Sequence, residues 1–440
     1  MNLRVMAALG VVLGACAAAA PAAAAVSGAE QRIARHVHER APAALELLER
    51  LVNVNSGTMH FEGVRRVADM VAPEFEALGF TTRWIDGAAW KRAGHLVAER
   101  RGRKGATHVL LIAHLDTVFE PDSPFQRFEW IDSTHARGPG VVDDKGGIVV
   151  MLAALGSLKD AGLLDRLSVL VYLGGDEESG GTPRELARRD LITMADAADY
   201  AIGFEDGDGD PETAVVSRRG SSSWRLWTAG RPYHSSQIFR EDVGSGAVFE
   251  AARILATFHD QVRDSNLTIS PGLIAGGTSV QFEEASRARV FGKTNVVAES
   301  TFVRGDLRAF TLEQRERAEA TMRAIVARNL PHTSAGITLV HGYPPLAPSE
   351  GNLKLLDMFD EASRDLGFSA VGAVDPRMAG AADVSYAEGR VLGAIDGLGL
   401  MGPGGHTVEE TADLSTLPIQ AKRVAVMLLR LAWGGFARSD

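Results

Sequence analysis

Residues 107–118 read THVLLIAHLDTV, an apolar, β-prone run that ends abruptly in His114, Leu115 and Asp116. The same grammar recurs along the chain. Residues 168–173 (SVLVYL) lead into Gly174-Gly175-Asp176-Glu177-Glu178, and 199–204 (DYAIGF) lead into Glu205-Asp206. The apolar run 391–400 precedes Gly402-Pro403-Gly404-Gly405-His406. Strands that are apolar throughout are buried on both faces, which requires a mainly parallel sheet covered by helices. The spacing supplies those helices at 28–52, at 146–161 and after Ser415, where Ile419, Val424, Leu428 and Leu431 share a face. Another carries Val64, Val67, Val71, Phe75 and Leu78, with Gly79 at the C-cap position. A strand-like run at 95–101 joins the set. The fold class expected is α/β.

Between 213 and 343 the texture changes. Residues 213–229 alternate, a helix follows near 242–263, strands near 268–282 and 295–310, a helix at 312–329 and a strand at 335–342. That order, β-α-β-β-α-β, is ferredoxin-like. The expected organisation is a targeting segment at 1–25, an α/β unit at 26–212 and 344–440, and an inserted α+β module at 213–343. Residues 1–25 have the charged, apolar, small-residue order of a secretory signal, with Ala23 and Ala25 before the cleavage point. Leu13-Gly14-Ala15-Cys16 also fits a lipoprotein box with Cys16 acylated. An exported protein is expected, periplasmic or secreted. No later segment has the ~20 apolar residues of a membrane span.

Composition narrows the chemistry. The 440 residues carry 46 Lys and Arg against 56 Asp and Glu, a net charge of −10, with 45% hydrophobic residues. That suits a globular protein and argues against a nucleic-acid partner. The lone Cys16 rules out a disulfide framework and a Cys-rich zinc site. Any metal must be held by His, Asp and Glu. In an open parallel sheet, ligands gather at the carboxyl ends of strands. His114 and Asp116, the loop 138–147 with Asp143, the acids 176–178, Glu205 with Asp206, and His406 all fall there. Singly, each reads as a structural His, a surface turn or a solvated acidic loop; together they read as a metal site. His60, His95, His135 and His341 stand outside any motif and read as structural or exposed.

The motifs LLIAHLDTV (110–118), GPGVVDDKGG (138–147), GGDEESGG (174–181), FED (204–206), GRPYHSS (230–236), NVV (295–297), GDLR (305–308) and GGHT (404–407) follow one another in family order. Through them the chain resembles the exported glutamate carboxypeptidase branch of the co-catalytic zinc peptidases, which include acetylornithine deacetylase, succinyl-diaminopimelate desuccinylase and peptidase T. The resemblance implies a dinuclear-zinc catalytic domain interrupted by a ferredoxin-like dimerisation domain, and a homodimer. It implies two zinc ions per subunit, with cobalt or manganese also compatible with the donors. His114 and Glu205 would hold one ion, Glu178 and His406 the other, with Asp143 bridging. Asp116 would orient His114. Glu177 would be general base and acid for a water held between the ions. His234 would reach into the partner subunit's site and stabilise the oxyanion. Asn295 and Arg308 would contact substrate, the guanidinium gripping a terminal carboxylate. Asp206 competes with Glu205 as the ligand. Asp144 stands where many relatives have Met, and the segment DVSYAE (383–388) resembles a loop near the site without an assigned role. The activity implied is hydrolysis of the amide of a peptidyl or N-acyl amino acid with a free terminal carboxylate. The alternatives are an aminoacylase or dipeptidase of the same family, or a non-catalytic solute-binding lipoprotein.

Overall fold

The computed structural model describes residues 26–284 and 287–434; the expected signal peptide, with Cys16, lies outside the described residues. A six-stranded sheet runs in the order Thr81–Asp86, Gly94–Arg100, Leu167–Gly174, Thr107–His114, Tyr200–Gly203, Gly393–Ile395. Only Gly94–Arg100 runs against the rest, so the sheet is mainly parallel. Side chains alternate across a strand, and here both faces are dry. Val109, Leu111 and Ala113 enter one core, while Leu110 and Ile112 enter the other. That is why residues 107–113 are apolar without interruption. The first core holds the helix Lys145–Asp160, apolar around its whole circumference, between the helices Gly28–Val52 and Thr416–Gly434. The second is thinner and is closed by the helix Arg189–Asp196 and the turn Asp383–Ala387.

A separate antiparallel sheet has the order Thr268–Gly277, Ser300–Ala309, Gly220–Ala229, Ser334–His341. The helices Gly246–Gln261 and Leu312–Val326 cover one face, around Trp224, Phe258, Val303 and Met322. Gly305 lies opposite Trp224, and a Cβ there would sit 2.2 Å from the indole ring. The strand expected at 268–282 is in fact broken at Thr278: its first half pairs with Ser300–Ala309, and Ser279–Glu284 turns into a hairpin with Arg287–Phe291. The pair Gly276-Gly277, which packs no side chain, marks the break. Sequence reading also missed the strand Thr81–Asp86, an edge with polar alternate positions, and a small sheet of Glu129–Trp130, His135–Arg137 and Thr411–Asp413.

The chain leaves and re-enters the α/β unit side by side. Arg218 and Leu346 exchange both main-chain hydrogen bonds at 2.9 Å, and Val215 pairs with Asp396. Asn352, buried in the first turn of the helix Glu350–Asp365, fastens this crossing. Its amide donates to the carbonyls of Val216 and Ala347, both at 3.0 Å, and its oxygen accepts from the Ala394 amide at 2.8 Å. Asn352→Ala orphans these buried main-chain groups, so a loss of roughly 2–4 kcal/mol is expected. Urea unfolding measures it, and a change below about 0.5 kcal/mol would show that the crossing holds without this side chain.

Candidate metal centre

Four strand ends and two loops converge on one acidic cleft of about 370 Å³, lined by Asp143, Glu177, Glu205, Asp206, Arg218 and His406 among others. His114 closes the central strand and is buried behind it. Its Nε2 lies 2.8 Å from Asp143 Oδ1, and Asp143 Oδ2 lies 2.9 Å from His406 Nε2. His406 also reaches Glu178 Oε2 at 3.2 Å. It holds a left-handed backbone, φ 63°, between glycines on one side and the strand Thr411–Asp413 on the other. Two triples of donor atoms each gather within 4.8 Å: His114, Asp143, Glu178 and His114, Glu177, Glu205. Asp143, Glu178, Glu205, His114 and His406 are thus brought together. Glu177, expected as the base and not as a ligand, stands in the second triple, whereas Asp206 lines the cleft outside both.

The Asp116 carboxylate lies beside His114, its Oδ1 3.5 Å from Nδ1, and the Asp116 main-chain carbonyl lies nearer that nitrogen at 3.0 Å. The carboxylate also accepts from the Thr58 hydroxyl at 2.6 Å and from the amides of Glu177 and Glu178 at 3.0 and 3.2 Å. It therefore sets the turn that presents both glutamates. Asp144 similarly accepts from the His114 amide at 3.2 Å.

Several residues that shape the centre escaped sequence reading. Arg218 is buried and donates to Asp396 Oδ2 and Glu205 Oε2, both at 2.9 Å. Asp396 has room only because residue 203 is Gly; a Cβ there would come within 2.2 Å of its carboxylate. Buried Glu410 accepts from the amides of Gly140, Val142 and Asp143 at 3.0–3.2 Å, tying the His406 loop to the Asp143 loop. Its only sequence signal is its position four residues after His406. Buried Lys145, its ammonium drawn down to about 7 by burial, holds the carbonyls of Val54 and Pro139. His95 is structural: its Nε2 faces the Ala187 carbonyl, its Nδ1 accepts from the Gly175 amide, and burial lowers it to about 4.

His234, Asn295 and Arg308 do not line this cleft. They belong to the antiparallel sheet and its loops. His234 is exposed and its Nδ1 lies 2.8 Å from Ser236 Oγ. The Asn295 carbonyl accepts from the Ser235 amide at 2.9 Å, so these two segments adjoin each other. Arg308 is held by Asp306 at 2.9 Å.

Charge explains the rest. Burial raises the carboxyls of Glu177, Glu178 and Glu205, aided by their acidic neighbours, and takes Asp206 to about 7. Burial opposes a charged His114, but its bonds to Asp116 and Asp143 outweigh that and raise it. His406 is raised to about 11 by Asp143 and Glu178. Glu177 Oε1 and Glu178 Oε1 are buried without a hydrogen-bond partner. Crowded carboxylates with orphaned oxygens beside imidazoles form a donor set that fits divalent cations such as zinc.

The sign of the pH dependence follows. Groups whose folded pKa is raised stabilise the fold at low pH and lose that contribution as pH rises through the folded value. For the metal-free chain the loss begins near the ordinary carboxyl range, passes about 7 for Asp206 and continues toward about 11 for His406. The metal-stripped chain should therefore melt lower at pH 8 than at pH 5.5, and added zinc should raise the melting temperature more at pH 8. A zinc effect that shrinks with pH contradicts this. Glu410→Gln replaces one acceptor by a donor facing an amide. Zinc affinity, read by chelator competition, should weaken roughly 10–100-fold; affinity within about twofold of wild type would dismiss the tie between the loops.

Residues 110–430 match the model of peptidase family M20/M25/M40. Carboxypeptidase G2 of Pseudomonas sp. (strain RS-16) is 28% identical over 408 residues, 89% of this chain and 90% of that protein. Among solved structures, aminopeptidase PepT from Bacillus cereus superposes with a TM-score of 0.70 at 19% identity, over 89% of this chain and 99% of its own. A dinuclear metal binding peptidase of family M20 from Bacillus subtilis gives a TM-score of 0.62 at 14% identity, over 90% and 99%. The family match over most of the chain, the long relative and the acidic centre at the strand ends agree: this chain belongs to peptidase family M20/M25/M40 and is a metallopeptidase.

Proposed function

We propose that this metallopeptidase is a glutamate carboxypeptidase-like exopeptidase, hydrolysing the amide of peptidyl or N-acyl amino acids that carry a free terminal carboxylate. The observation that carries the reading is the buried Glu177 carboxylate, with one oxygen unpartnered, beside the donors His114, Asp143, Glu178 and Glu205. Likeness to carboxypeptidase G2 over nearly the full length supports the carboxypeptidase class.

His114, Asp143, Glu178, Glu205 and His406 would hold two zinc ions. Bound there, the ions would polarise the scissile carbonyl and acidify the attacking water. Burial and the neighbouring Glu205 raise the Glu177 carboxyl, which suits a group that takes a proton from that water and returns it to the leaving amine. Asp116 fixes the Glu177 and Glu178 amides, so the base is held through its main chain. Arg218 offsets the charge of Glu205 and Asp396. Arg308 would receive the terminal carboxylate, with Asn295 beside the substrate. His234 would complete the oxyanion site of the partner subunit in a homodimer formed through the inserted module. The order of residues 1–25 supports export to the periplasm or beyond, with Cys16 as a lipid anchor in the acylated form.

The test is amino-acid release from a panel of N-acyl amino acids and dipeptides by metal-stripped protein titrated with zinc. Activity should rise to about two equivalents per chain. Glu177→Ala should keep the metal but lose roughly 10²–10⁴-fold in kcat. Substrates with a free carboxylate on the leaving amino acid should dominate. Preference for blocked or carboxylate-free leaving groups would overturn the carboxypeptidase reading, and full metal loading without any cleavage would favour a binding protein.

A further inference from the structure

Tyr343 stands where the inserted module hands the chain back, two residues after the strand Ser334–His341. Its main chain belongs to the module: its amide donates to Ser221 Oγ at 3.0 Å and its carbonyl accepts from the Ser221 amide at 3.0 Å, on the strand Gly220–Ala229. Its side chain points the other way. The hydroxyl donates to the Glu177 carbonyl at 2.7 Å and accepts from Arg188 Nη2 at 3.1 Å. A guanidinium has no acceptor, so the single phenolic proton must go to Glu177.

Arg188 is buried and already spent on the same turn. It donates to the Asp176 carbonyl at 3.1 Å, to the Asp176 carboxylate, and to Asp383 Oδ1 at 2.7 Å. The Tyr343 ring lies under the Arg184 guanidinium, 5.1 Å away, and against the Tyr386 ring at 5.7 Å. The segment 383–388, without a role in the sequence, is therefore the far wall of this network. The peptide units around Glu177 are gripped at one end by the Asp116 carboxylate and at the other by Tyr343 and Arg188. Among these three holders Tyr343 alone is fastened to the module.

We infer that Tyr343 is a positioning residue: its hydroxyl fixes the Glu177 main chain and couples the seating of the inserted module to the placement of the base. The inference rests on the proposed role of Glu177 and deepens it. Movement of the module relative to the α/β unit would strain this bond, because its two ends are anchored in different units.

Tyr343→Phe keeps the ring and deletes the hydroxyl. In zinc-loaded protein, kcat should fall on the order of tenfold with KM within about twofold. Zinc content should be unchanged and the melting temperature within about 3 °C of wild type. Hydrogen exchange should quicken in the peptide spanning 175–181 and not in the core helix Lys145–Asp160. Tyr343→Leu, which also removes the ring, should repeat the loss in kcat and melt lower. Wild-type kcat and unchanged exchange in Tyr343→Phe would reduce Tyr343 to a packing residue and overturn the inference. If wild type cleaves nothing in the panel, the functional reading fails instead, and the exchange comparison alone decides whether the hydroxyl anchors the turn.

Discussion

Like charges held together out of water are the constraint around which this molecule is arranged. Asp143, Glu177, Glu178, Glu205 and Asp206 crowd one cleft with only two imidazoles among them. Unpaired, such a group resists ionisation, and burial pushes four of the five carboxyls upward. Asp143 is the exception: burial works against its charge, but His114 and His406 more than compensate. With the carboxylates charged and no cation among them, such a cluster works against the fold. It is a candidate metal site in a metallopeptidase, kept in place by everything next to it.

The holding is done mostly by groups that touch no substrate. Asp116 and Glu410 each spend a buried carboxylate on main-chain amides, and so fix the turns from which the donors project. Arg188 and Arg218 are buried cations that stay charged whatever the pH. Arg218 binds Glu205 and Asp396, and Arg188 binds Asp176 and Asp383. Each arginine faces two acids, so its neighbourhood remains net negative.

What could be read in the sequence and what could not divide along a physical line. The strand 107–114 was legible because both its faces are dry, and the helix 145–160 because it is apolar all round. His114 and Glu178 were legible because a residue at the carboxyl end of a buried strand has few other reasons to be polar, and Asp143 because it stands in the glycine-rich turn that opens the core helix. Arg218 and Glu410 were not. Each lies in a short connecting stretch where a charged residue is unremarkable, and its meaning comes from partners such as Asp396, 178 positions away, or Gly140, 270 away. The carboxylate of Asp116 lies beside His114, but its bonds to the turn after the neighbouring strand, 61 and 62 positions on, were not legible. The break at Thr278 was missed because the residues on either side of it are both strand-like, and a strand pattern registers the pleat and not the partner.

Arg218 and Tyr343 also explain why the centre lies where the module is attached. One lies two residues before the strand Gly220–Ala229, the other two residues after the strand Ser334–His341, and the two connections are hydrogen-bonded to each other. Arg218 reaches Glu205 and Tyr343 reaches the Glu177 carbonyl, so both stalks end on the second donor triple. An α/β unit alone could place His114, Asp143 and Glu178, because their strand and loops lie wholly within it. Arg188, also within it, grips the turn at Asp176, and the module's attachment adds Arg218 on Glu205 and Tyr343 on the Glu177 carbonyl. The acidic half of the centre is thus braced from the α/β unit and from both connections at once.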